Sequence, residues 1–124
     1  MMITDGQVIR EDGIELRVTG SNIIIAGTIN SKTSRLILEP FFTEVNSFIL
    51  ANNFKEVLVD ISDLKFLNSS GIRAIVAWVI KIGALPEDSK YVITFLCNPD
   101  YTWQESSIST LMFLNKNLVK KEFI

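Results

Sequence analysis

One stretch holds most of the chemistry this sequence can offer: Asp60-Ile61-Ser62-Asp63-Leu64-Lys65-Phe66-Leu67-Asn68-Ser69-Ser70-Gly71-Ile72. A β-branched run ends, a short loop follows, and two hydroxyls stand where an apolar helix begins. Asn68 or Ser69 can cap free backbone N–H groups there. The positive end of the helix dipole favours an anion at the same spot. A helix cap of this kind is worth about 1 kcal/mol.

Other candidates are weaker. Asp60 and Asp63 are two carboxylates without a third ligand nearby, so a turn or capping role fits them better than metal or acid–base work. Gly71 stands alone, and neither GxxxxGK[ST] nor GxGxxG occurs. Cys97 lies in an apolar run and reads as a buried, unreactive thiol. Trp103 reads as a core anchor, Lys120-Lys121 as a solvated pair, and Phe41-Phe42 as divided between core and surface. The sequence has no histidine, which removes Ser-His-Asp and Cys-His nucleophile systems and the main nitrogen ligand of zinc and iron sites. No catalytic residue, metal or cofactor is expected.

These side chains need elements to hold them. Ile14, Leu16 and Val18 alternate with Glu15, Arg17 and Thr19, the period of a half-buried strand. Gly20-Ser21-Asn22 turns the chain into a second strand, Ile23 to Ile29. A helix is predicted from near Glu39, just ahead of Pro40, to Ala51. A buried strand follows from Glu56 to Ile61, then a helix from Ser69 to Ile82 and a strand from Tyr91 to Cys97. A last helix capped by Ser106 or Ser107 carries Ile108, Leu111 and Met112. The tail from Val119 to Ile124 is frayed or a short edge strand. The order β-β-α-β-α-β-α implies an α/β layer, mostly parallel after the first hairpin.

On a helical wheel, Ile72, Ile75, Val76, Val79 and Ile82 form the core stripe of the Ser69 helix. The opposite side carries Ser70, Arg73, Ala74, Ala77, Trp78 and Lys81, small residues flanked by two anchors, as in a docking face.

Composition bounds the rest. Among 124 residues, 48% are apolar and 21% charged, which suits one globular domain spanning 1–124. Twelve basic against fourteen acidic side chains leave a formal charge of −2. Nucleic acid and anionic membrane are therefore not expected partners. The run from Met1 to Gly6 lacks the pattern of a signal peptide. A single cysteine fits a reducing cytoplasm.

The Asp60-to-Ile72 stretch resembles the STAS domain of bacterial anti-sigma factor antagonists. That family shows a strand ending in Asp-x-Ser, an apolar pair, then Asp-Ser-Ser/Ala-Gly-Ile/Leu. Here these stand as Asp60-Ile61-Ser62, Phe66-Leu67 and Asn68-Ser69-Ser70-Gly71-Ile72. The family's second strand ends in Gly-x-Leu/Ile-Asp, matched by Gly27-Thr28-Ile29-Asn30. Trp103-Gln104-Glu105-Ser106-Ser107-Ile108 is similar to a small subgroup of stand-alone regulators.

The resemblance implies a single STAS-like domain with a four- to five-stranded mixed sheet and helices mainly on one face. It implies a non-enzymatic regulator whose Ser69 is phosphorylated by a serine kinase of the histidine-kinase-like ATPase fold. A PP2C-type phosphatase would reverse the reaction. Ser70 is the second choice of acceptor. Asn30, Asn68, Ser70, Arg73, Ala74, Ala77, Trp78 and Lys81 would meet a protein partner, and the protein would be a monomer or weak dimer. Asn68 and Asn30 depart from the family by standing where antagonists usually carry Asp. The alternative is a STAS-like scaffold or small-ligand module in which Ser69 is only a helix cap.

Overall fold

Alternation of buried and half-exposed residues along the strands sets the architecture. The structure is a computed structural model that describes residues 3–124. Met1 and Met2, where the signal-peptide reading begins, lie outside the described residues. Strands β1 (Val8–Glu11) and β2 (Ile14–Thr19) form an antiparallel hairpin closed by Asp12 and Gly13, at φ 55° and 80°. That is the backbone a two-residue I′ turn requires and Asp-Gly favours. Strand β2 pairs antiparallel with β3 (Asn22–Ile29). The chain then runs through α1 (Arg35–Ala51), β4 (Glu56–Asp60), β5 (Leu64–Leu67), α2 (Ser69–Gly83) and a 3-10 turn at Glu87–Ser89. It ends with β6 (Val92–Cys97), α3 (Thr102–Leu114) and β7 (Val119–Phe123).

The sheet order is β1-β2-β3-β4-β6-β7, with β5 also on β3. Strands β4 and β5 share one edge of β3: β4 pairs with Asn22–Ile24 and β5 with Gly27–Ile29. All pairings beyond β3 are parallel. The steps β3 to β4, β4 to β6 and β6 to β7 all go the same way across the sheet. The right-handed crossover rule therefore puts all three helices on one face. Burial agrees. Leu16, Ile25, Val59, Phe95 and Val119 are sealed beneath the helices. Arg17, Ile24, Leu58 and Thr94 line the open face, half-buried, with Lys120 exposed beside them.

The sheet has seven strands rather than four to five. Strand β1 is mostly exposed and charged, so no apolar period marks it, and β5 is four residues long with two exposed. Helix α1 begins at Arg35 and runs through Pro40 instead of starting near Glu39. Pro40 costs about 3 kcal/mol and a bond to the Leu36 carbonyl. The early start seals Leu38 in the core, which returns roughly 1.5–3 kcal/mol. Helix α3 begins at Thr102, so Ser106 and Ser107 are interior residues and not caps. Phe41 and Phe42 are both buried. The tail is the edge strand β7.

Candidate functional site

The site lies where β5 gives way to α2. The Asn68 N–H donates to the Ile29 carbonyl (2.8 Å) and closes the β3–β5 pairing. Asn68 then turns extended (φ −76°, ψ 173°) and caps α2, its Oδ1 accepting from the Gly71 N–H at 2.9 Å. The same oxygen accepts from the buried Ser34 Oγ (3.2 Å), and Nδ2 donates to the Ser31 carbonyl (2.8 Å). One amide thus ties the start of α2 to the start of α1. Gly71 lets the helix seat tightly, because a Cβ there would overlap the Leu67 side chain and press on Ile29.

Ser69 is the first residue of α2 and is exposed. Asn68 takes the cap, so the Ser69 hydroxyl is not a helix cap. The Gly71 N–H goes to the Asn68 side chain and the Ile72 N–H to the Asn68 carbonyl. The Ser69 and Ser70 N–H groups precede the first intrahelical bond, at the positive end of the helix. Ser70 is different: its Oγ is buried without a hydrogen-bond partner. As a second acceptor, or as a partner contact through its hydroxyl, Ser70 is corrected by this burial.

The expected docking face is also revised. Ile75, Val79 and Ile82 are buried as expected, but Ala74 and Trp78 are buried too, at 1% and 2% exposure. Trp78 stacks on Phe42 of α1 (centroids 4.7 Å apart, planes 14° apart). Its Nε1 donates to Tyr91 Oη (2.9 Å), whose hydroxyl donates to Asn46 Oδ1 (2.6 Å). Helix α2 therefore has two covered sides, one on the sheet and one on α1, and Ala74 and Trp78 lie at the floor of the groove between α1 and α2 rather than on an outer face. Ile72 and Val76, assigned to the core stripe, are only half-buried.

What stays open is a narrower stripe. Ser69, Arg73, Val76 and Ile80 follow helical spacing on one side, with Ile80 at 57% exposure, and Ala77 and Lys81 border them. Asn30 is exposed, and Phe66, three residues before Ser69, is 46% exposed. The sequence reading placed Phe66 only in the motif's apolar pair and did not single out Ile80, although the 69/73/76/80 spacing marks it. Arg35 is paired with Glu39 at 2.9 Å, whereas Arg73 and Lys81 form no ion pair among the described residues. Ala77 and Lys81 also edge a cleft of about 260 Å³ between α1 and α2, opposite Glu39 and Thr43.

The Trp103-Gln104 pair finds its role here. Gln104 is fully buried; its Nε2 donates to the Ile61 and Leu64 carbonyls (2.6 and 3.0 Å), and its Oε1 accepts from the Asn98 N–H (2.7 Å). Trp103 Nε1 donates to the Lys65 carbonyl (2.8 Å). Helix α3 thus clamps the β4–β5 loop that delivers Ser69. Asp60 Oδ1 accepts from the Ser62 N–H and Oγ (2.9 and 2.6 Å), the turn role expected of it. Cys97 is buried and unbonded to another cysteine, and burial pushes its thiol pKa up. Among the described residues no cluster of three His, Cys, Asp or Glu could hold a metal, and no helix is long and apolar enough to cross a membrane.

No family model matches the sequence, and no curated protein matches it. Among solved structures, the chain is similar to the crystal structure of an anti-sigma factor antagonist from Mycobacterium paratuberculosis. The alignment covers 92% of this chain and 82% of that one, at 16% identity and a TM-score of 0.48. The likeness concerns the course of the chain.

Proposed function

We propose that this protein is a non-enzymatic regulator of the anti-sigma-factor-antagonist kind, which binds a protein partner under control of reversible phosphorylation at Ser69. The observation that carries the reading is an exposed, uncommitted hydroxyl on the first residue of α2, with Asn68 already serving as the cap. The partner meets the stripe of Ser69, Arg73, Val76 and Ile80, with Asn30, Phe66, Ala77 and Lys81 at its border. The kinase belongs to the histidine-kinase-like ATPase class and the phosphatase to the PP2C class, by the motif resemblance.

A phosphate at Ser69 brings roughly −1.5 to −2 charges. The helix itself accepts it, gaining about 0.3–1 kcal/mol from the dipole, and Arg73 lies one turn further along. A docked partner responds differently, because an unpaired dianion sealed in an interface costs several kcal/mol. A loss of about 2.7 kcal/mol weakens binding roughly a hundredfold. One charged group then switches docking without a conformational relay.

The test uses the wild-type chain and the Ser69→Ala and Ser69→Asp variants as baits in extract of its own cells, followed by affinity measurement with the captured protein. The expected result is a shared partner for wild type and Ser69→Ala, with Ser69→Asp about a hundredfold weaker at an unchanged Tm. Equal affinity for the Ala and Asp variants rejects the switch.

A further inference from the structure

We propose that a second copy of this chain docks on the free edge of β7 and continues the sheet across a two-fold axis at Lys121. This surface owes nothing to the Ser69 reading. Strand β7 is the last strand of the sheet. The Ile93 N–H donates to the Leu118 carbonyl (2.7 Å), and the Ile124 N–H to the Cys97 carbonyl (3.0 Å). Leu118, Lys120, Glu122 and Ile124 therefore turn their main chain to β6, and Val119, Lys121 and Phe123 turn theirs outward. The Val119 N–H is taken by the Asn115 carbonyl (3.2 Å). The carbonyl of Val119 and the N–H and C=O groups of Lys121 and Phe123 face the free side, the array an added strand needs. A two-fold axis normal to the sheet makes that strand antiparallel. With the axis at Lys121, the two Lys121 residues exchange both main-chain bonds, and each Phe123 N–H meets the Val119 carbonyl of the other copy.

Charge fixes both the occupant and its register. Lys120 and Glu122 lie exposed on the open face of the sheet, beside Glu56, Leu58 and Thr94. Neither forms an ion pair among the described residues. In the register about Lys121, Lys120 of each copy stands directly opposite Glu122 of the other, a complementary cross-strand pair made twice. Sliding the partner by one pleat either way sets Lys120 on Lys120 or Glu122 on Glu122. On the helix side the two axial lysines turn away from each other. Lys121 Nζ leans along its own α3, to Ser109 Oγ (3.2 Å) and Glu105 (3.6 Å), so its charge is already matched.

The apolar surface agrees. Lys121 faces Ser109, and Phe123 lies with Thr102 and Glu105. Helix α3 thus runs back along β7, and its Phe113 stands beside the first residues of the strand. Phe113 is 78% exposed, at the rim of a cleft of about 420 Å³ that Met112 and Lys121 also line, and Phe123 is 43% exposed. An antiparallel second copy brings its Phe123 opposite Val119, next to Phe113. By symmetry this happens at both ends, covering rings that otherwise face water.

The test is sedimentation equilibrium of the full chain over a range of concentrations, with far-UV circular dichroism to show that each variant is folded. The wild type should give a monomer–dimer equilibrium that goes no further, since a two-fold interface closes on itself. Lys120→Glu and Glu122→Lys each set like charges opposite one another at two places, and should raise the dissociation constant about tenfold or more. An equimolar mixture of these two variants should form dimers within about threefold of the wild-type affinity, because one copy is then acidic at both positions and the other basic. Lys121→Pro removes an outward N–H, leaves the β6 ladder whole and should leave monomer. If the proline variant does not fold, the charge variants at their exposed positions decide alone. A wild type that stays monomeric at millimolar concentration overturns the proposal. So does a dimer indifferent to the charge variants, a mixture without rescue, or growth beyond the dimer.

Discussion

Asn68 shows why a single amide stands where the resembling family carries a carboxylate. Its Oδ1 does what an aspartate could do, but its Nδ2 donates to the Ser31 carbonyl. Asp at this position would keep the cap and place a carboxylate against that carbonyl. The lost bond, about 0.5–1.5 kcal/mol, and the repulsion outweigh a dipole gain of about 0.3–1 kcal/mol. Urea denaturation of Asn68→Asp should show a net loss near 1 kcal/mol at pH 7 and a smaller one at pH 3, where the protonated acid can donate. Tyr91 gives a second expectation. Burial raises its phenol pKa above the ordinary 10.0. The unfolded chain therefore releases this proton first, and stability contributed by Tyr91 is full below pH 10 and declines as pH climbs above it. Tyr91→Phe should flatten that alkaline decline. At neutral pH the variant should lose about 1–3 kcal/mol, because Trp78 Nε1 and Asn46 Oδ1 are left unpaired.

Among the elements, α2 separates what the sequence shows from what it conceals. Its start is legible because Asn-Ser-Ser-Gly precedes an apolar run with helical period. Its outer face is not, because a wheel offers one core side and α2 packs on two neighbours. The burial of Trp78 depends on Phe42, 36 positions earlier in the sequence, and nothing local announces it. The Asp12-Gly13 turn was available as a hairpin signal, yet β1 has no apolar alternation to confirm it. Strand β5 owes its existence to pairing with β3. Gly71→Ala tests the seating of this helix. In an open helix that change gains about 1 kcal/mol. Here the new methyl meets Leu67 and Ile29, and overpacking of this kind costs about 1–3 kcal/mol. A lowered urea midpoint is expected, and a raised one would show that β5 yields easily.

For the whole molecule, one contiguous apolar cluster reaches from Ile3 to Val119 and includes residues of six of the seven strands, β1 being joined through half-buried Ile9, and of all three helices. One cooperative unfolding transition is therefore expected. Tryptophan fluorescence, from Trp78 between α1 and α2 and Trp103 on α3, should report the same urea midpoint as far-UV circular dichroism. Separate midpoints would split the molecule into two units. The layer and its parallel half were legible from the order of elements, since alternating strands and helices admit few other solutions. The clamp of Gln104 on the Ile61 and Leu64 carbonyls was not, because a buried glutamine's partners are set by the tertiary fold. That clamp, the Asn68 latch and the Gly71 seat converge on holding one hydroxyl outward. Intact-mass and fragment analysis of the chain recovered from its native cells tests that convergence most directly. The account predicts a fraction carrying one phosphoryl group on Ser69, absent from Ser69→Ala and retained in Ser70→Ala. A chain unmodified across growth conditions, or modified only elsewhere, would contradict it.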